Sequence, residues 1–198
     1  VDVQRTGNSD LYAFDGKAKF DVIMPGDLVH CDFGITYLTL NTDCQELAYV
    51  LKPEEIDAPD FLKEALKKGN EVQDALTDNF KKGRTGNSTL KMAIESSKNA
   101  GLRPQIYTHP LGLYGHSAGT TFGMWDAQDG IPGSGEHPLY ENTTYAIELN
   151  AKVFIEQWRK DVRIMLEEPG YFGPEGFRYI NGRQTNLILI GEKSNHIR

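Results

Sequence analysis

Two aspartates eleven residues apart, Asp32 and Asp43, constrain what this chain can fold into more than any other feature. They lie in GDLVHCDFGITYLTLNTDCQELAYV, residues 26–50. That stretch is rich in β-branched and aromatic residues, which favour extended structure, and an ionised group is costly to bury there without a partner. A spacing of eleven would also put both acids on one face of a helix, since it is close to three turns. Gly34 and the threonines argue against a helix. The expectation is two strands joined by a short turn, with both carboxylates pointing the same way. Carboxylates aimed at one point repel unless a proton or a cation lies between them, so the rest of the chain must be searched for further ligands.

The chain has 198 residues, 39% of them hydrophobic and 25% charged, as in an ordinary globular domain. We expect one domain over residues 1–198. The chain starts at Val1 rather than Met, so sequence ahead of it is expected to be missing. A net charge of −7 argues against nucleic acid as a partner, because that binding is driven by cations neutralising phosphates. No run approaches the ~20 apolar residues of a membrane span. The two cysteines, Cys31 and Cys44, make no disulfide framework. Both read as packing residues, and a cytoplasmic setting is expected.

Periodicity places the elements. Leu11–Phe14 is a candidate short strand, and Leu28–Ile35 and Glu46–Leu51 are strands flanking the two aspartates. From Pro59 to Lys82 apolar residues recur at steps of three and four, which predicts an amphipathic helix stopped by Gly83. A second helix follows, capped by Thr85 or Ser88 and closed by Gly101. Gln105–Thr108 reads as a short strand and residues 120–135 as a glycine-rich loop. TTYAIELNAKVFI, residues 143–155, alternates strongly as a strand should. Val162–Leu166 and Thr185–Ile190 are two more strands. This order predicts an α+β fold, with helices on one side of a mostly antiparallel sheet.

The strand-rich second half holds polar residues that a plain core would avoid. His116 sits in YGHSAG, Glu148 in YAIELN, and Glu167 at the end of VRIMLEE. Buried Glu is rare unless paired or bound to a metal. Glu168 is the alternative to Glu167, because strand alternation lets only one of them face the site. Asp32, Asp43, Glu148, Glu167 and His116 together offer four carboxylates and one imidazole. Such a set suits two divalent ions of the Mn, Co, Fe or Zn type.

The order DFG, then TD, GHSAG, AIEL and LEE resembles the creatinase/methionine aminopeptidase/Xaa-Pro aminopeptidase group of metallopeptidases, and within it the Xaa-Pro aminopeptidase-like branch. The resemblance runs from about Met24 to Ile190. It implies the pita-bread fold, a curved sheet with helices packed on one side. It implies two divalent metal ions, manganese among the candidates, and removal of the N-terminal residue from peptides, with Xaa-Pro peptides as the candidate substrate. Asp32 would chelate one metal, Asp43 and Glu167 would bridge the pair, and His116 and Glu148 would hold the other, with Glu148 also handling the proton of the attacking water. A peptide is the expected partner, and a homodimer is left open.

The sequence departs from the family in two ways. A histidine that contacts substrate normally follows the ligand histidine by seven residues; seven after His116 is Gly123. A histidine is also normal some way before the first aspartate, and none precedes His30. His109, in YTHPLG, is the substitute expected to bind substrate. A catalytically impaired homologue that only binds partners is therefore the alternative function. A remoter rival is a serine hydrolase, since Gly115–Gly119 matches G-x-S-x-G around Ser117 with His137 or His196 as base. That motif needs a strand before it and a helix after it, and the flanking Gly- and Pro-rich sequence supports neither.

Overall fold

The structure is a computed structural model that describes residues 1–6 and 22–191. The Leu11–Phe14 strand and His196 lie outside the described residues.

The longest strands carry the strongest alternation. Strand β8 (Thr143–Ile155) has the expected bounds and pairs antiparallel over its whole length with β9 (Lys160–Gly173). Ahead of them come β1 (Asp2–Gln4), β2 (Leu28–Phe33), β3 (Thr36–Tyr37), β4 (Leu40–Asn41), β5 (Cys44–Val50), helices α1 (Asp60–Thr77) and α2 (Gly86–Asn99), β6 (Pro104–Ile106) and β7 (His109–Pro110). After them come β10 (Gly176–Tyr179) and β11 (Ile188–Ile190). The main sheet runs β1-β2-β5-β9-β8-β6, with β7 on β8, β10 on β9 and β11 on β5. All its pairings are antiparallel except β5 with β11.

One face of this sheet is apolar. Ile147 and Leu149 of β8 share that face with Leu166 of β9, and with Ile164 they meet Leu62, Leu66, Val72 and Leu76 of α1 in a single buried cluster. Gly69 of α1 lies directly over Ile164 and Leu166, which fixes this as the helix-bearing face. Alternation then sends Glu148 and Glu167 to the opposite face. The sheet is also curled. Strands β5 and β9 pair only at Gln45 opposite Glu167 and then diverge. Further along, the Gln4 side chain of β1 bonds both the backbone N–H and the C=O of Arg163 in β9, at 2.8 and 2.6 Å. Helices on one side of a curled antiparallel sheet make the fold α+β and pita-bread.

Three boundaries differ from expectation by three residues or more. Helix α1 ends at Thr77, not Lys82, because the chain unwinds to drop Phe80 among Phe122, Tyr145, Phe172 and Phe177, with ring centroids 5.0–5.8 Å away. Tertiary packing of one aromatic outweighs another turn of helix. Strand β9 extends past Leu166 to Gly173, since β8 offers it an edge throughout. Only Ile188–Ile190 of the last predicted strand forms. The cap of α2 is Thr85, whose hydroxyl oxygen accepts the Ser88 N–H at 3.2 Å. Among the described residues no helix is long and apolar enough to cross a membrane.

Candidate metal centre

Four neighbouring strands place one polar row across the inner face. Asp32 of β2 stands opposite Gln45 of β5, Gln45 opposite Glu167 of β9, and Glu167 opposite Glu148 of β8. Directly opposed residues in an antiparallel pair share a face, so this register converts four distant stretches of sequence into one line of side chains. Glu168 is turned the other way. It stands opposite Ile147 and accepts the Gln184 backbone N–H at 2.6 Å. The site-facing glutamate is thus Glu167.

Asp43 immediately precedes β5. The connection from Asp32 is longer than a simple turn, because β3 and β4 form their own small hairpin with Leu38 and Thr39 at φ 47° and 71°. That hairpin is anchored in two places. At its base, Thr42 N–H donates to the Ile35 carbonyl at 2.9 Å. At its side, Asn41 donates from its backbone and side chain to the carbonyls of Gly112 and Leu113. The same loop carries the second histidine.

Strand β7 sets His109 opposite Ala146, on the face that Glu148 occupies. His109 Nε2 lies 3.5 Å from Glu148 Oε2, 3.5 Å from Glu167 Oε1 and 3.9 Å from Asp43 Oδ2. Its Nδ1–H donates to the Pro110 carbonyl at 3.1 Å, so the neutral ring presents the Nε2 lone pair to the acids. The same carbonyl accepts Ser117 N–H at 2.9 Å. This folds the loop back so that the exposed His116 stacks on His109, centroids 3.8 Å apart.

The charges in this cluster are poorly balanced by protein alone. Burial pushes the Glu167 carboxyl up to about 8, and burial together with Asp32 raises Asp43. Burial would lower His109, but the Glu148 and Glu167 carboxylates outweigh it and bring the ring to about 10. Burial and the neighbouring His109 lower His116. His109 Nε2 and Glu167 Oε1 are buried with no hydrogen-bond partner. Such orphaned polar atoms call for an ion or a proton. Three sets of ligand atoms lie within 4.8 Å of one another: Asp32–Asp43–Glu167, His109–Glu148–Glu167 and Asp43–His109–His116. Glu167 belongs to two of them. Carboxylate-rich sets with imidazole fit divalent first-row metals.

The structure therefore brings together all five expected ligands, and places His109, expected to bind substrate, at their centre. His109 and His116 are seven residues apart, a spacing visible in the sequence. Gly123 could not carry a histidine: its φ is +70° and a Cβ there would stand 2.3 Å from the Ile106 carbonyl oxygen. Burial pushes the Cys44 thiol up to about 11, and Cys44 lines the opposite face with Glu46 and Glu168, so it is not set up as a ligand. Ser117 donates its hydroxyl to the Tyr114 carbonyl at 2.9 Å and no helix begins directly after it, which removes the nucleophile-elbow reading.

Glu168 yields a stability test. Burial pushes its carboxyl up to about 7 from an ordinary 4.5. Between those values the folded chain holds a proton that the unfolded chain has lost. This contribution is full below about pH 4.5 and is lost as pH rises through 7. Glu168→Gln keeps the acceptor for Gln184 and removes the ionisation. Its melting temperature relative to wild type should therefore rise between pH 5 and pH 8, as read by calorimetry.

Comparison with solved structures supports the fold. The X-Pro aminopeptidase of Thermotoga maritima MSB8 superposes with a TM-score of 0.66 at 22% identity, over 90% of this chain and 46% of that one. The Xaa-Pro dipeptidase of Bacillus anthracis does so at 0.60 and 22%, over 90% and 45%. The methionine aminopeptidase of Thermotoga maritima gives 0.57 and 21%, over 80% and 65%. The chain thus spans less than half the length of the first two. No curated relative matches in sequence. Likeness at such identities is one of fold alone, but the model of metallopeptidase family M24 matches residues 5–170, a span holding every acid and both histidines of the cluster. On that match this chain belongs to metallopeptidase family M24.

Proposed function

We propose that this chain forms the catalytic unit of a dinuclear metallo-aminopeptidase, removing the N-terminal residue from peptides, with Xaa-Pro peptides as the first candidates. The observation that carries the reading is Glu167. It is buried, its Oε1 lacks a hydrogen-bond partner, and it belongs to two overlapping ligand sets, as a carboxylate shared by two ions must. Two divalent ions bound there would acidify a water and polarise the scissile carbonyl.

In this reading Asp32 would hold one ion, His109 and Glu148 the other, and Asp43 and Glu167, each a member of two ligand sets, would serve both. Glu148 would also take the proton of a water activated there. His116 does not ligate but meets the substrate. It is the exposed member of the stacked pair and stands seven residues after His109, the spacing at which the family places a substrate histidine. This exchanges the roles first expected for the two histidines. It also removes one of the two grounds for an impaired binding module, the histidine missing at 123, and leaves the other, since no histidine precedes His30. Tyr114, two residues before His116, is exposed and offers an apolar contact for a peptide.

The test is metal content after mild preparation, followed by hydrolysis of Xaa-Pro and Xaa-Ala peptides with Mn or Co added. About two metal ions per chain and release of the first residue are expected. A protein that neither binds these metals nor hydrolyses either peptide would overturn the assignment.

A further inference from the structure

Gln45 is buried at the only register pair joining β5 to β9, the point where the two halves of the curled sheet cross. Its amide nitrogen donates to Glu148 Oε1 at 2.6 Å and to Glu167 Oε2 at 3.0 Å. Its Oε1 lies 2.8 Å from His30 Nε2. The orientation of the amide follows from its partners: a nitrogen must face two carboxylates, so the oxygen faces His30, whose Nε2 must carry a hydrogen. On the far side His30 Nδ1 lies 3.3 Å from Asp2 Oδ2. A chain Asp2–His30–Gln45 thus runs from β1 through β2 to β5 and ends on two acids of the centre.

The division of oxygens is specific. Gln45 occupies Oε1 of Glu148 and Oε2 of Glu167. The remaining oxygens, Oε2 of Glu148 and Oε1 of Glu167, are the two that face His109 Nε2 at 3.5 Å. One amide with two donors therefore leaves each carboxylate one oxygen turned inward and fixes its rotation. A lysine or arginine in this place would satisfy the same acids but bring a cation that competes with a bound metal. A neutral amide does not. Outer partners of this kind orient ligands and tune metal affinity.

We propose that Gln45, oriented by His30, is a positioning residue that holds Glu148 and Glu167 with one oxygen each committed to the metal pair. This rests on the dinuclear reading above. It is tested by Co(II) titration of the whole protein, following the visible absorption of bound cobalt and the heat of binding, with kcat and KM for an Xaa-Pro peptide measured beside them. Gln45→Met keeps the side-chain length and removes both donors. It should weaken Co(II) binding by about 10- to 100-fold, alter the cobalt spectrum, and lower kcat more than it raises KM. His30→Leu leaves the amide in place but free to turn, and should alter the spectrum in the same sense with a smaller loss of affinity. If wild type binds no Co(II), the dinuclear reading itself fails. If wild type binds and Gln45→Met binds with unchanged affinity and spectrum, the positioning role is wrong. Should Gln45→Met not fold, an unchanged spectrum in His30→Leu overturns the proposal on its own.

Discussion

His109→Ala should abolish peptide hydrolysis and reduce metal affinity by more than about 100-fold, beyond the range that outer partners reach, while His116→Ala should keep its metal and lose activity through kcat/KM. The contrast follows from where the two rings lie. His109 is buried, its Nδ1 is engaged by Pro110, and its Nε2 points at three carboxylates. Among the described residues His116 is the one other imidazole in these ligand sets, and it reaches the cluster only through Asp43 and His109. His116 lies over the outer face of the stack and is exposed, so its loss removes contacts to substrate rather than to an ion. Metal stoichiometry by elemental analysis and affinity by isothermal titration separate the two. The opposite pattern, with metal lost in His116→Ala and kept in His109→Ala, would return the ligand role to His116.

Gly34→Ala should destabilise the fold by about 3 kcal/mol or more and weaken metal binding as well. A Cβ at Gly34 would stand 2.2 Å from the Thr42 carbonyl oxygen. That oxygen is backbone, so no rotamer change relieves the contact. Residues 34 and 42 close the base of the β3–β4 hairpin, with Asp32 two residues before it and Asp43 one residue after. Prising them apart changes the distance between the two aspartates. The hairpin also holds Gly112 and Leu113 through Asn41, so the disturbance reaches the loop that stacks His116 on His109. Thermal melting without added metal measures the first effect and Co(II) titration the second. A variant as stable as wild type would mean that the hairpin base opens at little cost.

Some parts of this molecule were legible because the cause is local. Strand β8 is bounded as predicted because its alternation is long and strict. The Asp32–Asp43 pair was legible as half of a candidate metal site, since two acids on neighbouring extended segments repel without a cation or proton between them. Gln45 and His30 escaped notice although period-two alternation reaches them. Gln45 lies two residues after Asp43, and His30 lies two before Asp32, on the same face as that aspartate. Neutral or weakly charged residues carry no signal of repulsion, so nothing marked them. The sequence holds His109 and His116 seven apart, but the expected pair was placed one step too late, at positions 116 and 123, because burial decides which ring meets the acids.

By itself the sequence determined the α+β class, the sheet strands that carry acids, and three candidate ligand carboxylates, Asp32, Asp43 and Glu148, with Glu167 or Glu168 as the fourth. Local chemistry suffices for these, because hydrophobic period and the cost of buried charge act within a few residues. Tertiary structure alone decided that α1 stops at Thr77, that Glu167 and not Glu168 faces inward, that His109 reaches the centre, and that Gln45 joins two of its acids. Each of these turns on the register between strands distant in the chain, or on one ring finding its cluster. Neither is encoded in any stretch short enough to be read alone.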